Sequence, residues 1–233
     1  MSLIEVHNVI KNYIDGKNTV EALRGVDIKI ETGEFTAIAG PSGSGKTTLL
    51  NLIGGLDTVT SGTIKVDDVE LSAVSIRRLS EMRLHKIGFV FQSYNLMPVL
   101  SALENVEFTM MLQSVPKRER TRRAKEILDK VGLSEHAHRR PPALSGGQQQ
   151  RVAVARAIVS GPAVVLADEP TANLDSGTGA KLLDLMRTLN KTENMTFIFS
   201  THDPMVMDYA TRLIQLHDGA VRSDEMKNSK TAG

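Results

Sequence analysis

Within the first forty residues, apolar and polar positions alternate with a period of two over residues 26–30. Val26, Ile28 and Ile30 are separated by polar neighbours, the spacing of a strand with one buried face. Residues 3–10, 23–30 and 34–39 are expected as strands, punctuated by the turn pairs Asp15-Gly16 and Thr32-Gly33. A helix should then reach about residue 56, followed by a turn at Thr60-Ser61-Gly62, a strand over 63–66 and a helix over 75–83. Ile87-Gly88-Phe89-Val90-Phe91 is apolar on both faces, which suits a strand of a buried parallel sheet. Between residues 93 and 160 the strand signals stop, and Ala124, Ile127, Leu128 and Val131 recur at helical spacing. Strands resume at 163–167 and 196–200. This order predicts an α/β fold with a core over 1–92 and 161–222, a helical subdomain inserted at 93–160, and a loose tail over 223–233, which has almost nothing to bury.

Composition narrows this picture. With 233 residues, 41% of them apolar and 24% charged, the chain reads as a soluble protein with a full core. A net charge of +1 gives no support to a general nucleic-acid binder. The basic stretch over 117–123 reads most simply as the solvated face of a helix. The chain has no cysteine, which excludes disulfides, thiolate chemistry and cysteine-held zinc and suits a reducing cytoplasm. No apolar run approaches a membrane span and the N-terminus lacks the pattern of a signal peptide, so membrane contact is expected only through a partner.

The candidate chemistry begins at Gly40-Pro41-Ser42-Gly43-Ser44-Gly45-Lys46-Thr47-Thr48, which fits G-x-x-x-x-G-K-[ST] between a strand and a helix. The glycines let successive N–H groups converge on a phosphate, and the helix N-terminus favours the same anion. Lys46 can reach terminal phosphates, and the Thr47 hydroxyl can ligate Mg²⁺. Val164-Val165-Leu166-Ala167 delivers Asp168 and Glu169 at the end of a buried strand. Asp168 suits Mg²⁺, directly or through water, which leaves Glu169 free to polarise a water for attack on a γ-phosphate. Ser145 and Gln148 form a capping box in Leu144-Ser145-Gly146-Gly147-Gln148. Capping does not account for Gly146 and Gly147, and a helix start without side chains is a second anion site. Tyr13 is either an adenine-stacking platform or an exposed tyrosine at the end of a strand.

Taken together, Gly40 to Thr47, Gln92, Leu144 to Gln148, Ala163 to Glu169, Asn173-Leu174-Asp175 and His202 resemble the nucleotide-binding subunit of ABC transporters over nearly the whole chain. The resemblance implies a phosphate-loop NTPase core with a parallel sheet, an N-terminal antiparallel β subdomain and the inserted helices. It also implies a head-to-tail homodimer with two ATP molecules, each held by the loop of one subunit and by Ser145, Gly146, Gly147 and Gln148 of the other. Gln92 would sense Mg²⁺ and the attacking water, Asp175 would lie across the interface, His202 would hold the γ-phosphate and Tyr13 would stack on adenine. Gly54-Gly55-Leu56-Asp57, Asn95-Leu96-Met97-Pro98 and the triple glutamine from Gln148 are similar to the lipoprotein-releasing and macrolide-exporting ATPases, although Ala172 and Thr47 replace the glycine and serine usual there. The implied function is ATP hydrolysis powering a membrane permease that docks near Gln92 to Leu100, on the cytoplasmic face of the inner membrane. The competing reading is a soluble ABC ATPase acting on nucleic acid or ribosomes. A single cassette without heptad runs weighs against it.

Overall fold

The computed structural model describes residues 2–16 and 18–227. Ser2–Asp15 (β1) and Asn18–Glu31 (β2) form a long antiparallel hairpin, and β1 runs past Tyr13 because pairing continues to Asp15 and Asn18. Phe35–Ala39 (β3) leads through the glycine loop into Lys46–Ile53 (α1). This helix stops short of residue 56. A Cβ on its cap, Gly54, would lie 2.5 Å from the Phe89 ring, and Gly55 has φ +62°, a conformation that does not continue a right-handed helix. Then come Ser61–Val66 (β4), Val69–Glu70 (β5), Ile76–Lys86 (α2) and Ile87–Val90 (β6). The longer helices Ala102–Leu112 (α3), Lys117–Lys130 (α4) and Gly146–Ile158 (α5) follow, with no strand among them. Val164–Asp168 (β7), Ser176–Glu193 (α6), Thr196–Thr201 (β8), Pro204–Tyr209 (α7), Arg212–His217 (β9) and Ala220–Met226 (β10) complete the chain.

The strands form two sheets. One is antiparallel, in the order β2-β1-β4-β5; the other runs β10-β9-β3-β8-β7-β6 and is parallel except for β10. Side chains alternate across a strand, and the central strands show two covered faces. Phe35, Ala37, Val165, Ala167, Phe197 and Phe199 pack with Val154, Leu182, Leu183 and Met186 of α5 and α6, in one cluster that also takes in Val106 and Leu128 of α3 and α4. Ile38, Val164, Leu166 and Ile198 point the other way, onto Leu49, Leu52 and Ile53 of α1 and the apolar face of the antiparallel sheet. Burying both faces explains why these strands read as continuous apolar runs.

β6 reads the same way although it is the sheet edge. Gly88 lets the Ala157 carbonyl approach to 2.4 Å of where a Cβ would stand, so α5 lies hard against it. At the other edge the expected tail is shorter than 223–233. Residues 223–226 pair with β9 as the end of β10, although they bury little, because their backbone is bonded and Arg212 holds Asp224 with two bonds of 2.7 Å. Residues 228–233 of that tail lie outside the described residues.

Candidate functional site

Parallel sheets gather chemistry at the carboxyl ends of their strands. Here β3, β8 and β7 are neighbours, with Ala39 paired to Thr201 and Asp168 paired to Ser200. The glycine loop after β3, the carboxylates after β7 and His202 after β8 therefore meet at one edge. Gly45 must be glycine twice over: its φ is +98°, and a Cβ would come within 2.5 Å of the Ala22 carbonyl. As N-cap of α1 it offers no side chain, and no acidic residue occupies the first turn, so the helix start is left to an anion.

Lys46 is buried at 7% exposure, and its Nζ donates to the carbonyls of Gly40 and Pro41, each at 2.8 Å. The buried Ser44 hydroxyl has no hydrogen-bond partner, an open valence that a bound phosphate oxygen would fill. Thr47 Oγ1 donates to Asp168 at 3.0 Å. A hydroxyl oxygen and one carboxylate fit Mg²⁺, which is usually completed by phosphate oxygens and water rather than by a protein cage. No group of three or more His, Cys, Asp or Glu side chains that could hold a metal ion converges among the described residues.

Glu169 takes φ +45° and its N–H donates to the Ser200 carbonyl. A non-glycine residue in the left-handed region is costly, and here the conformation turns the carboxylate toward β8. Its Oε1 lies 2.6 Å from His202 Nδ1, and Thr201 Oγ1 donates to Oε2 at 3.3 Å. Gln92 is exposed, and its carbonyl accepts from Asn173 at 2.8 Å. Tyr13, 39% exposed, stands beside Thr48 and donates its hydroxyl to Asp57.

The Ser145 turn is built as expected: Ser145 accepts from the Gln148 N–H, and Gln148 accepts from the Ser145 N–H. Its glycines have neighbours within the same chain. A Cβ on Gly146 would lie 2.9 Å from the Tyr94 hydroxyl, and one on Gly147 would lie 2.3 Å from the Thr178 methyl. Asp175 caps α6 by accepting from the Thr178 N–H at 3.0 Å, and bonds from the Thr178 hydroxyl and then its N–H hold the carboxyl below the usual range. The turn thus adjoins residues 173–178, and among the described residues no hydrogen bond joins it to the glycine loop.

Three residues of this region were given no chemical role by the sequence: Lys11, and Asp57 and Gln150, which entered only within motifs of the resemblance. Gln150 is fully buried on α5 and donates to the Pro170 carbonyl at 2.8 Å, beside Glu169. Lys11 carried a usable signal, since it stands two residues from Val9 and from Tyr13 on one face of β1, where a lysine is out of pattern.

A model of the ABC transporter family matches residues 23–172. The lipoprotein-releasing system ATP-binding protein of Legionella pneumophila is 42% identical, with 96% of this chain aligned to 98% of that one. The macrolide export ATP-binding/permease protein of Mannheimia succiniciproducens is 43% identical over 98% of this chain, which spans 35% of that protein's length. Among solved structures, a dimeric post-hydrolysis ATP-binding cassette of Methanocaldococcus jannaschii with ADP and Pi matches with a TM-score of 0.90 and 43% identity, over 97% of this chain and 99% of that one.

Proposed function

The chain belongs to the ABC transporter family as an ATP-binding, ATP-hydrolysing cassette, and from that premise we propose that it powers a permease of the lipoprotein-release or macrolide-export type. The observation that carries the site assignment is the meeting of Lys46, the Thr47–Asp168 pair and the Glu169–His202 pair at the ends of three adjacent strands. Gly40, Ser42, Gly43, Ser44, Gly45 and Thr48 wrap the phosphates of ATP with backbone N–H groups, Pro41 shapes the turn without a donor of its own, and Lys46 neutralises the terminal phosphates. Thr47, Asp168 and Gln92 are the residues that would hold Mg²⁺, which when bound offsets charge on the β- and γ-phosphates.

Glu169 is the general base. It accepts a proton from water while the water oxygen bonds to the γ-phosphorus and the bond to the ADP oxygen breaks, yielding ADP and inorganic phosphate. His202 orients this carboxylate and faces the γ-phosphate. Tyr13 stacks on adenine. Ser145, Gly146, Gly147 and Gln148 serve the ATP of a second subunit, in a head-to-tail dimer that also brings Asp175 to the opposite loop.

The permease docks beside Gln92 to Leu100. Supporting this, Met97 lines a cleft of about 640 Å³ together with Phe89, Phe91, Phe108 and Leu112. Leu96, by contrast, packs on the core cluster. No helix among the described residues is long and apolar enough to cross a membrane, and the permease would hold the cassette at the cytoplasmic face of the inner membrane. Two measurements test the proposal. Phosphate release from ATP by the purified protein should require Mg²⁺, and tagged protein from detergent-solubilised membranes should bring down an integral membrane subunit. Activity without Mg²⁺, or recovery without any membrane partner, would contradict it.

A further inference from the structure

Lys11 is an unusual lysine. It is 8% exposed, on a strand, and its Nζ donates to Asp57 Oδ1 and to the Thr58 carbonyl, each at 2.7 Å. The same ammonium sits 4.7 Å from the centroid of the Tyr13 ring, within cation–π range. The second oxygen of Asp57 accepts from the Tyr13 hydroxyl at 2.7 Å. Tyr13 is thus fixed at two points, at its hydroxyl by the carboxylate and on its ring by the ammonium that the same carboxylate holds. Asp57 lies in the connection that leaves α1, the helix whose start faces the phosphates.

We propose that Asp57 and Lys11 are positioning residues for nucleotide recognition: they lock the Tyr13 ring in place before ATP arrives and leave it open on one side for the base. This rests on the assignment of Tyr13 as the adenine platform. A free tyrosine side chain loses rotamer freedom when a base stacks on it, and a ring already tethered has lost that freedom on folding. Lys11 adds a second effect. With an ammonium against one side, only the other side can take a base, so the platform has a defined face and register. Burial alone would raise the Asp57 carboxyl, but the bonds from Lys11, Tyr13 and the Thr58 N–H outweigh it and hold it below its usual range. Burial and the Asp57 bond both raise the Tyr13 hydroxyl, which stays protonated as the donor.

The test compares ATP with inorganic tripolyphosphate, which has the phosphates and no base, by calorimetry and steady-state kinetics. Tyr13→Phe removes the hydroxyl bond to Asp57, and with it the hydroxyl's lesser contact with Thr48, and keeps the ring and the Lys11–Asp57 pair. It should raise the KM for ATP roughly 2- to 13-fold, the range for one lost hydrogen bond, with kcat retained and tripolyphosphate affinity unchanged. Asp57→Ala should act in the same direction, and its penalty should vanish in a Tyr13→Ala background, because the two act through one ring. If Asp57→Ala unfolds the protein by stranding Lys11, Tyr13→Phe alone carries the test.

Equal losses for ATP and tripolyphosphate would overturn the proposal and make Asp57 a support of α1. If Tyr13→Ala raises KM while Tyr13→Phe leaves it unchanged, the tether is wrong and the platform stands. If Tyr13→Ala itself leaves the KM unchanged, the platform assignment falls and the tether with it.

Discussion

Glu169 and His202, delivered by adjacent parallel strands, meet with Oε1 and Nδ1 2.6 Å apart. A carboxylate can only accept, so the Nδ1–H is donated and a neutral ring presents Nε2 as an acceptor. Donation from Nε2 to a phosphate then requires the imidazolium or release of Glu169. On the proposed roles the contact joins the general base to the residue facing the γ-phosphate, and a change in one should be felt at the other.

Glu169→Gln removes the proton acceptor and preserves shape. Turnover should fall by orders of magnitude, with ATP binding intact and an ATP-bound dimer accumulating. Near-normal turnover in purified protein would rule out Glu169 as general base. Lys46→Ala should fail earlier, at binding, because it removes the cation beside the loop carbonyls. Equilibrium nucleotide binding separates the two variants.

The glycines of the Ser145 turn carry a second expectation. An anion site and an intrachain contact both explain Gly147, but the Thr178 methyl 2.3 Å from its would-be Cβ decides what a substitution meets first. Gly147→Ala should lower ATPase activity and thermal stability. Adding Thr178→Ser, which deletes that methyl, should recover the stability. Activity recovered along with stability assigns the glycine to packing between α5 and α6. Stability recovered without activity assigns it also to ligand approach.

Much of this was legible in the residues. The glycine loop, the carboxylate pair and the capping box follow from local spacing, because each is contained within a few consecutive residues. What local spacing cannot supply is pairing across the chain. The Asp57–Tyr13 bond spans 44 residues and the Gln150–Pro170 bond 20, and both depend on sheet order. Strand β10 was missed for a related reason: its residues pair by backbone and by Arg212, leaving no apolar alternation to read.

Dimerisation should follow nucleotide. If each ATP needs the Ser145 turn of a second subunit, ATP binds the dimer better than the monomer and shifts the equilibrium by mass action. Light scattering of Glu169→Gln should show roughly doubled mass with ATP. Ser145→Arg should abolish both this increase and hydrolysis while a monomer still binds ATP. A mass unchanged by ATP in Glu169→Gln would contradict the shared site.

The proposed docking surface yields the sharpest contrast between neighbouring residues. Leu96 packs against the core, while Met97 lines the cleft between α2, β6, α3 and α5 and is held there by its own backbone: its N–H donates to Asn105 and its carbonyl accepts from the same side chain. Arg156 fixes the preceding turn through the carbonyls of Tyr94 and Asn95 at 3.0 and 2.6 Å. Leu96→Glu puts a charge against apolar neighbours and should cost about 2 kcal/mol or more. The melting temperature should then drop by roughly 4 °C or more. Leu112, 54% exposed at the cleft wall, can take a charge without that penalty. Leu112→Glu should therefore keep the melting temperature and the basal ATPase of the isolated cassette, yet lose the permease in a pull-down from solubilised membranes. Permease recovered at wild-type levels with Leu112→Glu and with Met97→Glu would remove this cleft from the coupling path.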